Sequence, residues 1–222
     1  MISPGADAAP AELSGRAHQL LAGGLESGER RVLGICGAPG AGKSTLAAQL
    51  QADLAQSYPG ASVVLAMDGY HLAQSILTRR GQTDIKGAPE TFDGKGFASM
   101  LHRLHAEQSE TLYAPCFHRE IEDSIAGEVE VPPSVKLVIV EGNYLLLQTE
   151  PWLEVSSLLD ESWFIDLPGE VRRERLVRRH LSFGVSVEDA TARATGSDEN
   201  NARLIGATAG HADRIVRDGH FA

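Results

Sequence analysis

Short continuous runs of apolar residues alternate along the chain with longer stretches whose apolar positions recur every three or four residues. The short runs predict buried β-strands, and they lie at 30–36, 61–68, 135–142, 162–168 and 212–218. The run at 135–142 is the most apolar of them, which is typical of a central strand in a parallel sheet.

The stretches between these runs predict helices. They lie at 10–24, 43–56, 92–108, 169–184, 186–195 and 197–210. Pro10 is typical of a helix start, and Gly23 with Gly24 predicts the end of the first helix. Because strands and helices alternate, we expect an α/β fold with a central parallel sheet of about five strands and helices on both faces. The length predicts one domain over residues 1–222, with a flexible tail at 1–9.

A glycine-rich segment joins the first predicted strand to the second predicted helix. Gly37, Gly42, Lys43 and Ser44 match the spacing of the P-loop, which holds the phosphates of a nucleoside triphosphate. Glycine is needed there because consecutive backbone N–H groups must turn inward around the anion. We expect Lys43 to meet the β- and γ-phosphates and the Ser44 hydroxyl to bind Mg²⁺. The predicted nucleotide-binding residues are Gly37, Ala38, Pro39, Gly40, Ala41, Gly42, Lys43, Ser44 and Thr45.

Two carboxylates stand at the carboxyl ends of predicted strands, where α/β folds place their ligands. Asp68 ends the strand at 61–68 and could accept the proton of an attacking hydroxyl as a general base. The alternative is a turn or capping residue in front of Gly69. Glu141 ends the central strand, where a P-loop enzyme needs a carboxylate near its metal. Since aspartate is usual at that place, Glu141 could act through a water or on the substrate hydroxyl.

The helix predicted at 169–184 is rich in arginine. It carries Arg172, Arg173, Arg175, Arg178 and Arg179. Arg175 and Arg179 stand four residues apart and share one helix face. Arginines on a closing lid, here about 170–200, can stabilise the charge that develops during phosphoryl transfer. The alternative is a solvated helix whose charge Glu170 and Glu174 balance.

Net charge and cysteine content narrow the classes of protein. The formal net charge is −10 and the sequence pI is near 5.2, which argues against a general nucleic-acid-binding protein. Cys36 and Cys116 are far apart and form no CxxC motif, which disfavours a disulfide framework or a zinc cluster. No apolar run approaches the roughly 20 residues that span a bilayer, and the N-terminus has no pattern of a secretion signal. A cytoplasmic protein without membrane contact is expected.

Taken in order, the motifs resemble the phosphoribulokinase/uridine kinase family over about residues 30–200. The motifs are GAPGAGKST, MDGYH, KGAPETFD, PCFHREIEDS, VIVEGNYLL and FIDLPGEVRRERLVRRH. Within that family the chain looks most like small bacterial nucleoside/nucleotide kinase-like proteins, also described as fructose transport system kinase-like, and like pantothenate kinases. The resemblance implies a kinase that uses ATP and Mg²⁺ to phosphorylate an alcohol group of a small molecule, with a P-loop fold and a helical lid. It also implies Asp68 as the base and Arg178 or Arg179 as lid arginines; a homodimer is left open.

The segments expected to bind the acceptor do not resemble one subfamily consistently. KGAPETFD, from Lys86 to Asp93, resembles pantothenate kinases, whereas uridine kinases carry a ribose-binding aspartate two positions before the matching proline. That position is Gly87 here, so the sequence predicts a poor uridine or cytidine kinase unless Asp84 or Asp93 compensates. The candidate substrate-binding residues, each with ordinary packing or surface placement as the alternative, are Tyr70, His71, Lys86, Tyr113, His118 and Arg119. Arg119 suits an acceptor that carries a carboxylate or phosphate.

Two other functions stay open at this point. One is a regulatory NTPase that binds nucleotide without transferring phosphate, against which Asp68 and the arginine-rich helix argue. The other is a nucleoside monophosphate kinase, which would need a second anion site. The obvious side chains for such a site are Arg79, Arg80, Lys86 and Arg119.

Overall fold

The computed structural model describes residues 10–182, 184 and 186–217, so the flexible tail predicted at 1–9 lies outside the described residues. The strands are β1 (Arg31–Gly37), β2 (Ser62–Ala66), β3 (Leu112–His118), β4 (Asp123–Val131), β5 (Leu137–Gly142), β6 (Glu161–Ile165) and β7 (Arg214–Val216). The helices are α1 (Pro10–Ser27), α2 (Lys43–Ser57), α3 (Gln74–Arg80), α4 (Gly94–Ala106), α5 (Trp152–Ser157), α6 (Gly169–Ser182), α7 (Val187–Thr195) and α8 (Ser197–Gly206). Within these described ranges, no helix has both the length and the apolar character that a bilayer crossing requires.

Five of the described strands form one parallel sheet in the order β2-β5-β1-β6-β7. The predicted α/β fold with a parallel sheet of about five strands is therefore confirmed. β5 lies between β2 and β1 and is buried along its whole length, as its apolar sequence predicts. Glu141 pairs in register with Ile35 of β1 and Ala66 of β2, so the three strands end together.

Each face of the sheet is covered by its own hydrophobic cluster. Along β5 the side chains alternate, with Val138 and Val140 in one cluster and Leu137 and Ile139 in the other. The first cluster includes residues of α4, and the second includes residues of α1 and α2. The sheet is thus sandwiched between helices, and its carboxyl edge is left for ligands.

An antiparallel hairpin of β3 and β4 stands apart from the main sheet, and the hydrophobic pattern did not predict it as strands. Most of its side chains are exposed or half-buried, so the sequence shows no continuous apolar run. The hairpin packs on the turn Met67–Tyr70 that follows β2; a Cβ added at Gly69 would lie 2.3 Å from the Pro115 carbonyl oxygen. It therefore lies over the carboxyl edge of the sheet.

The first helix ends later than predicted. α1 continues through Gly23 and Gly24 to Ser27, and Gly28 ends it in a left-handed conformation (φ 76°) while donating to the Gly24 carbonyl at 2.9 Å. Gly24 serves close packing instead, since a Cβ there would stand 2.6 Å from the Lys136 carbonyl oxygen. The prediction of an end at these glycines was therefore wrong. The last predicted helix is also shorter, because α8 ends at Gly206.

The two adjacent glycines of α1 should respond oppositely to alanine. Gly23→Ala meets no heavy atom within 4 Å, so it should raise the free energy of unfolding by about 0.5–1 kcal/mol through helix propensity. Gly24→Ala must displace the Lys136 backbone, so it should lower the free energy of unfolding by about 1–3 kcal/mol. Urea unfolding of both variants measures this; equal effects would contradict the packing role of Gly24.

Candidate active site

The P-loop lies between β1 and α2, as predicted. Gly40 and Gly42 adopt left-handed conformations with φ of 80° and 99°, which side chains with a Cβ rarely adopt. A Cβ on Gly40 would also lie 2.9 Å from the Arg172 carbonyl oxygen of α6. The first N–H groups of α2 have no acceptor within the helix and are available to an anion in the loop. The geometry therefore fits a bound phosphate.

Lys43 is buried at the centre of the loop. Its Nζ donates to the Gly37 carbonyl at 2.9 Å, to the Ala38 carbonyl at 3.3 Å and to Asn143 Oδ1 at 2.7 Å. Burial lowers the pKa of Lys43, and the negative charges of Glu141 and Asp68 oppose that shift. The ammonium is thus held in place by oxygen atoms before any ligand binds.

Glu141 stands at the end of β5 and is also buried. Its Oε1 accepts a hydrogen bond from Ser44 Oγ at 2.8 Å. Burial raises the pKa of Glu141, while Lys43 acts in the opposite direction. A hydroxyl and a carboxylate oxygen side by side are the ligand types that Mg²⁺ prefers, so the two residues fit the metal site predicted for them.

Asp68 lies in the turn after β2, on the open side of the site. Its Oδ2 stands 3.4 Å from Arg119 Nη2, and 34% of its side chain is exposed. His71 Nδ1 hydrogen-bonds the Asp68 carbonyl at 2.9 Å, and burial lowers the pKa of His71. The His71 ring packs on Phe92 and Phe117. His71 therefore fixes the turn that carries Asp68.

Phe117 is the centre of the neighbouring region, where the sequence analysis expects the acceptor. Lys86 Nζ lies 5.3 Å and Arg119 Cζ 5.9 Å from its ring centroid, within the range of cation–π attraction. Lys86 also bonds the backbone carbonyl of Glu122 at 2.7 Å and its carboxylate at 3.0 Å. Ser124, paired with Phe117 across the hairpin, has a buried Oγ without a hydrogen-bond partner among the described residues.

The other predicted acceptor residues lie differently. Tyr70 packs on Phe97 with ring centroids 4.9 Å apart, and burial raises its pKa. Tyr113 is 56% exposed near the start of β3. His118 Nε2 pairs with Glu128 at 2.6 Å, and alternation along β3 places it on the opposite face from Phe117. The structure thus gathers His71, Lys86 and Arg119 around Phe117. Tyr70, Tyr113 and His118 do not join this group.

The arginines of α6 divide between two sides of the helix. Arg172 is buried, donates to the Pro39 carbonyl of the P-loop at 3.4 Å and pairs with Glu199 of α8. Arg179 is half-buried; burial and the charge of Arg119 lower its pKa, and Asp198, Asp68 and Glu141 oppose this shift. Arg178 is exposed and lines a groove between α6 and α7. Of the two predicted lid arginines, only Arg179 faces the carboxylates.

Asn143 is the residue of this site that the sequence analysis missed. It follows Glu141 by two positions and accepts a hydrogen bond from Lys43 Nζ. Its place directly after the carboxyl end of the central strand was the available signal, since polar groups at that edge meet the ligand in α/β folds.

The family of this chain follows from comparison with known proteins. The model of the phosphoribulokinase/uridine kinase family matches residues 32–220, and the chain belongs to that family. The predicted family and the predicted class of enzyme, a P-loop kinase that phosphorylates an alcohol, are therefore confirmed.

Three similar proteins illustrate the breadth of the family. A candidate uridine kinase of Schizosaccharomyces pombe is 32% identical over 87% of this chain and 84% of its own length. A pantothenate kinase of Latilactobacillus sakei is 32% identical over 72% of this chain and 52% of its own. The crystal structure of a candidate fructose transport system kinase from Silicibacter sp. TM1040 has a TM-score of 0.79 and 38% identity, covering 91% of this chain and 98% of the other. The names of these three proteins indicate different acceptors.

Lys43→Ala should weaken ATP binding without weakening AMP binding. The ammonium is placed to meet the β- and γ-phosphates, and a hydrogen bond to a charged group contributes about 1.5–3 kcal/mol, or roughly tenfold or more in affinity. AMP lacks those phosphates and is the matched control ligand. Titration calorimetry with Mg²⁺ measures both affinities. Equal losses for ATP and AMP would contradict the position assigned to Lys43.

Proposed function

We propose that this protein transfers the γ-phosphoryl group of ATP, with Mg²⁺, to a hydroxyl of a small-molecule acceptor. The observation that carries the proposal is the convergence of three charged groups at the carboxyl edge of the sheet. Lys43 is buried in the P-loop, Glu141 hydrogen-bonds Ser44, and the charge of Asp68 reaches both Lys43 and Glu141. A binding protein without transfer would not need a carboxylate on the open side.

The nucleotide would lie along the P-loop. Its residues 37–45 surround the phosphates, and Ser44 with Glu141 would hold Mg²⁺, which neutralises charge that develops on the phosphate oxygens. A cavity of about 190 Å³ beside the loop, lined by Ala38, Leu167 and Ala202 among others, offers room for the nucleoside. ATP and Mg²⁺ are therefore the proposed ligands of this half of the site.

Asp68 is the proposed general base. An ionised carboxylate within reach of the acceptor hydroxyl can take its proton as the oxygen attacks. Arg119 Nη2 lies 3.4 Å from Asp68 Oδ2 and helps to orient the carboxylate. The partial exposure of the Asp68 side chain supports access by a small molecule from the side of Phe117.

The acceptor is proposed to be a sugar, a polyol or a pantothenate-like acid rather than a nucleoside. Gly87, which stands where uridine kinases carry an aspartate, has no side chain, and its φ of 97° disfavours one. Asp93 is occupied as the N-cap of α4, accepting from the Gly96 N–H at 2.9 Å, and Asp84 is exposed. Neither aspartate is therefore placed to replace the side chain that is absent at Gly87. Lys86 and Arg119 beside Phe117 favour an acid among these acceptors.

A nucleoside monophosphate kinase is the second candidate. Arg79 and Arg80 are both exposed at the end of α3, so Lys86 and Arg119 are the stronger candidates for a second anion site. Their carboxylate partners, Glu122 and Asp68, offset part of this positive charge, so the two residues suit the single charge of a carboxylate better than the double charge of a phosphate. The homodimer and the cytoplasmic location expected from the sequence stay predictions.

Arg179→Ala and Arg178→Ala form a matched pair on one helix. Arg179 faces the carboxylates, so its loss should lower kcat and kcat/KM together, on the order of 10²-fold. Arg178 is exposed, and solvent screens an exposed charge. Its loss should therefore leave kcat and kcat/KM within about twofold of the values of the original protein. Steady-state kinetics with the best acceptor measure the split. Similar mild losses from both variants would support a solvated helix instead.

An ADP-release panel tests the choice of acceptor. The panel holds uridine, cytidine, hexoses, pentoses, polyols, nucleoside monophosphates, and two matched pairs of acid and alcohol: glycerate with glycerol, and pantothenate with pantothenol. Nucleosides should be disfavoured by about one to two decades in kcat/KM, because a charged hydrogen-bond partner is missing at Gly87. Within the preferred pair, the acid should have a higher kcat/KM than its alcohol. A clear lead for uridine or cytidine would overturn the argument from Gly87, and a lead for a monophosphate would establish the second candidate.

A further inference from the structure

A group of three side chains with metal-binding atoms lies on the hairpin, outside the site described above. Cys116 and His118 come from β3 and Glu128 from β4, and their ligand atoms all lie within 4.8 Å of one another. Cys116 and His118 are two residues apart in one strand, so they share a face. That face is opposite to the one on which Phe117 meets Lys86 and His71.

A break in the strand pairing brings Glu128 to this face. Ala114 pairs with Val129, but Cys116 pairs with Ile125, so extra residues of β4 lie opposite Pro115. Pro115 has no N–H to donate to a regular ladder, and Gly127 adopts a left-handed φ of 73° within the bulge. Such bulges re-aim side chains. Here the carboxylate of Glu128 reaches His118 at 2.6 Å, across ten residues of chain.

We propose that Cys116, His118 and Glu128 bind a zinc ion. A thiolate, an imidazole and a carboxylate are the three ligand types that zinc takes in proteins, and a thiolate disfavours Mg²⁺ and Ca²⁺. Bonds of about 2.0–2.3 Å to a tetrahedral ion put ligand atoms roughly 3.3–3.8 Å apart. The ligand atoms lie within 4.8 Å of one another, so metal binding would require the longer separations to shorten and the 2.6 Å contact between His118 and Glu128 to widen.

The partial exposure of the group leaves the fourth coordination position to water. The side chain of His118 is 33% exposed and that of Glu128 is 39% exposed. Three protein ligands with one open position are typical of zinc sites that stay accessible. The ion would join β3 to β4 directly behind the residues that face Asp68. The proposal is independent of the kinase activity, because it needs neither nucleotide nor acceptor.

Titration of the nucleotide-free protein with Zn²⁺ and with Co²⁺ as a spectroscopic substitute tests the site. One equivalent of Co²⁺ should produce a thiolate-to-cobalt charge-transfer band and the visible bands of four-coordinate cobalt, and Zn²⁺ should abolish both. Cys116→Ala, His118→Ala and Glu128→Gln should each weaken Zn²⁺ binding by about 10-fold or more. Glu130→Gln, an exposed carboxylate two positions along β4, is the matched control and should bind like the original protein.

Thiol reactivity provides a second measurement that needs no variant. Cys36 is buried, and burial raises its pKa to about 11. A thiol-specific reagent added to the folded protein should therefore modify only Cys116. Zn²⁺ should protect Cys116, whereas Mg²⁺ should not. A cobalt complex without a thiolate band, or Zn²⁺ binding that survives all three substitutions, would overturn the proposal. So would a Cys116 thiol that Zn²⁺ leaves fully reactive; His118 and Glu128 would then be an ordinary ion pair.

Discussion

The rest of the site depends on the burial of one ammonium group. Lys43 Nζ lies among the carbonyl oxygens of its own loop and the side-chain oxygen of Asn143. Burying an unpaired charge costs several kcal/mol, so these oxygens and the nearby carboxylates must be fixed in place. The loop is shaped by Gly40 and Gly42, Glu141 is held by the central strand, and Asn143 directly follows that strand. A phosphate would meet a charge that is already positioned.

The order of strands explains why these groups meet. β5 is inserted between β1 and β2, so the P-loop after β1, Glu141 at the end of β5 and Asp68 after β2 share one edge. The hairpin of β3 and β4 covers that edge and has two different faces. One carries Phe117 and Arg119 toward Asp68, and the other carries Cys116, His118 and Glu128. The same hairpin therefore bears both the acceptor side of the proposed kinase and the proposed zinc site.

Sequence patterns predicted what depends on local or periodic signals. The P-loop follows from spacing, and the parallel sheet follows from continuous apolar runs such as 135–142. The hairpin was missed because its strands are mostly exposed and carry no apolar run. The side of α6 on which each arginine lies depends on how the helix packs against Pro39 and Glu199, which spacing alone does not give. Asn143 was missed because its partner Lys43 is 100 residues away.

Asp68 is proposed to take part in phosphoryl transfer and not in nucleotide binding. Asp68→Asn keeps the shape of the side chain and removes the base, so it separates the two. In this variant the Mg²⁺-dependent affinity for ATP should stay nearly unchanged, while kcat for the best acceptor should fall by roughly 10²- to 10⁴-fold. A variant that phosphorylates the acceptor at the original rate would show that Asp68 is only a turn residue and not the base.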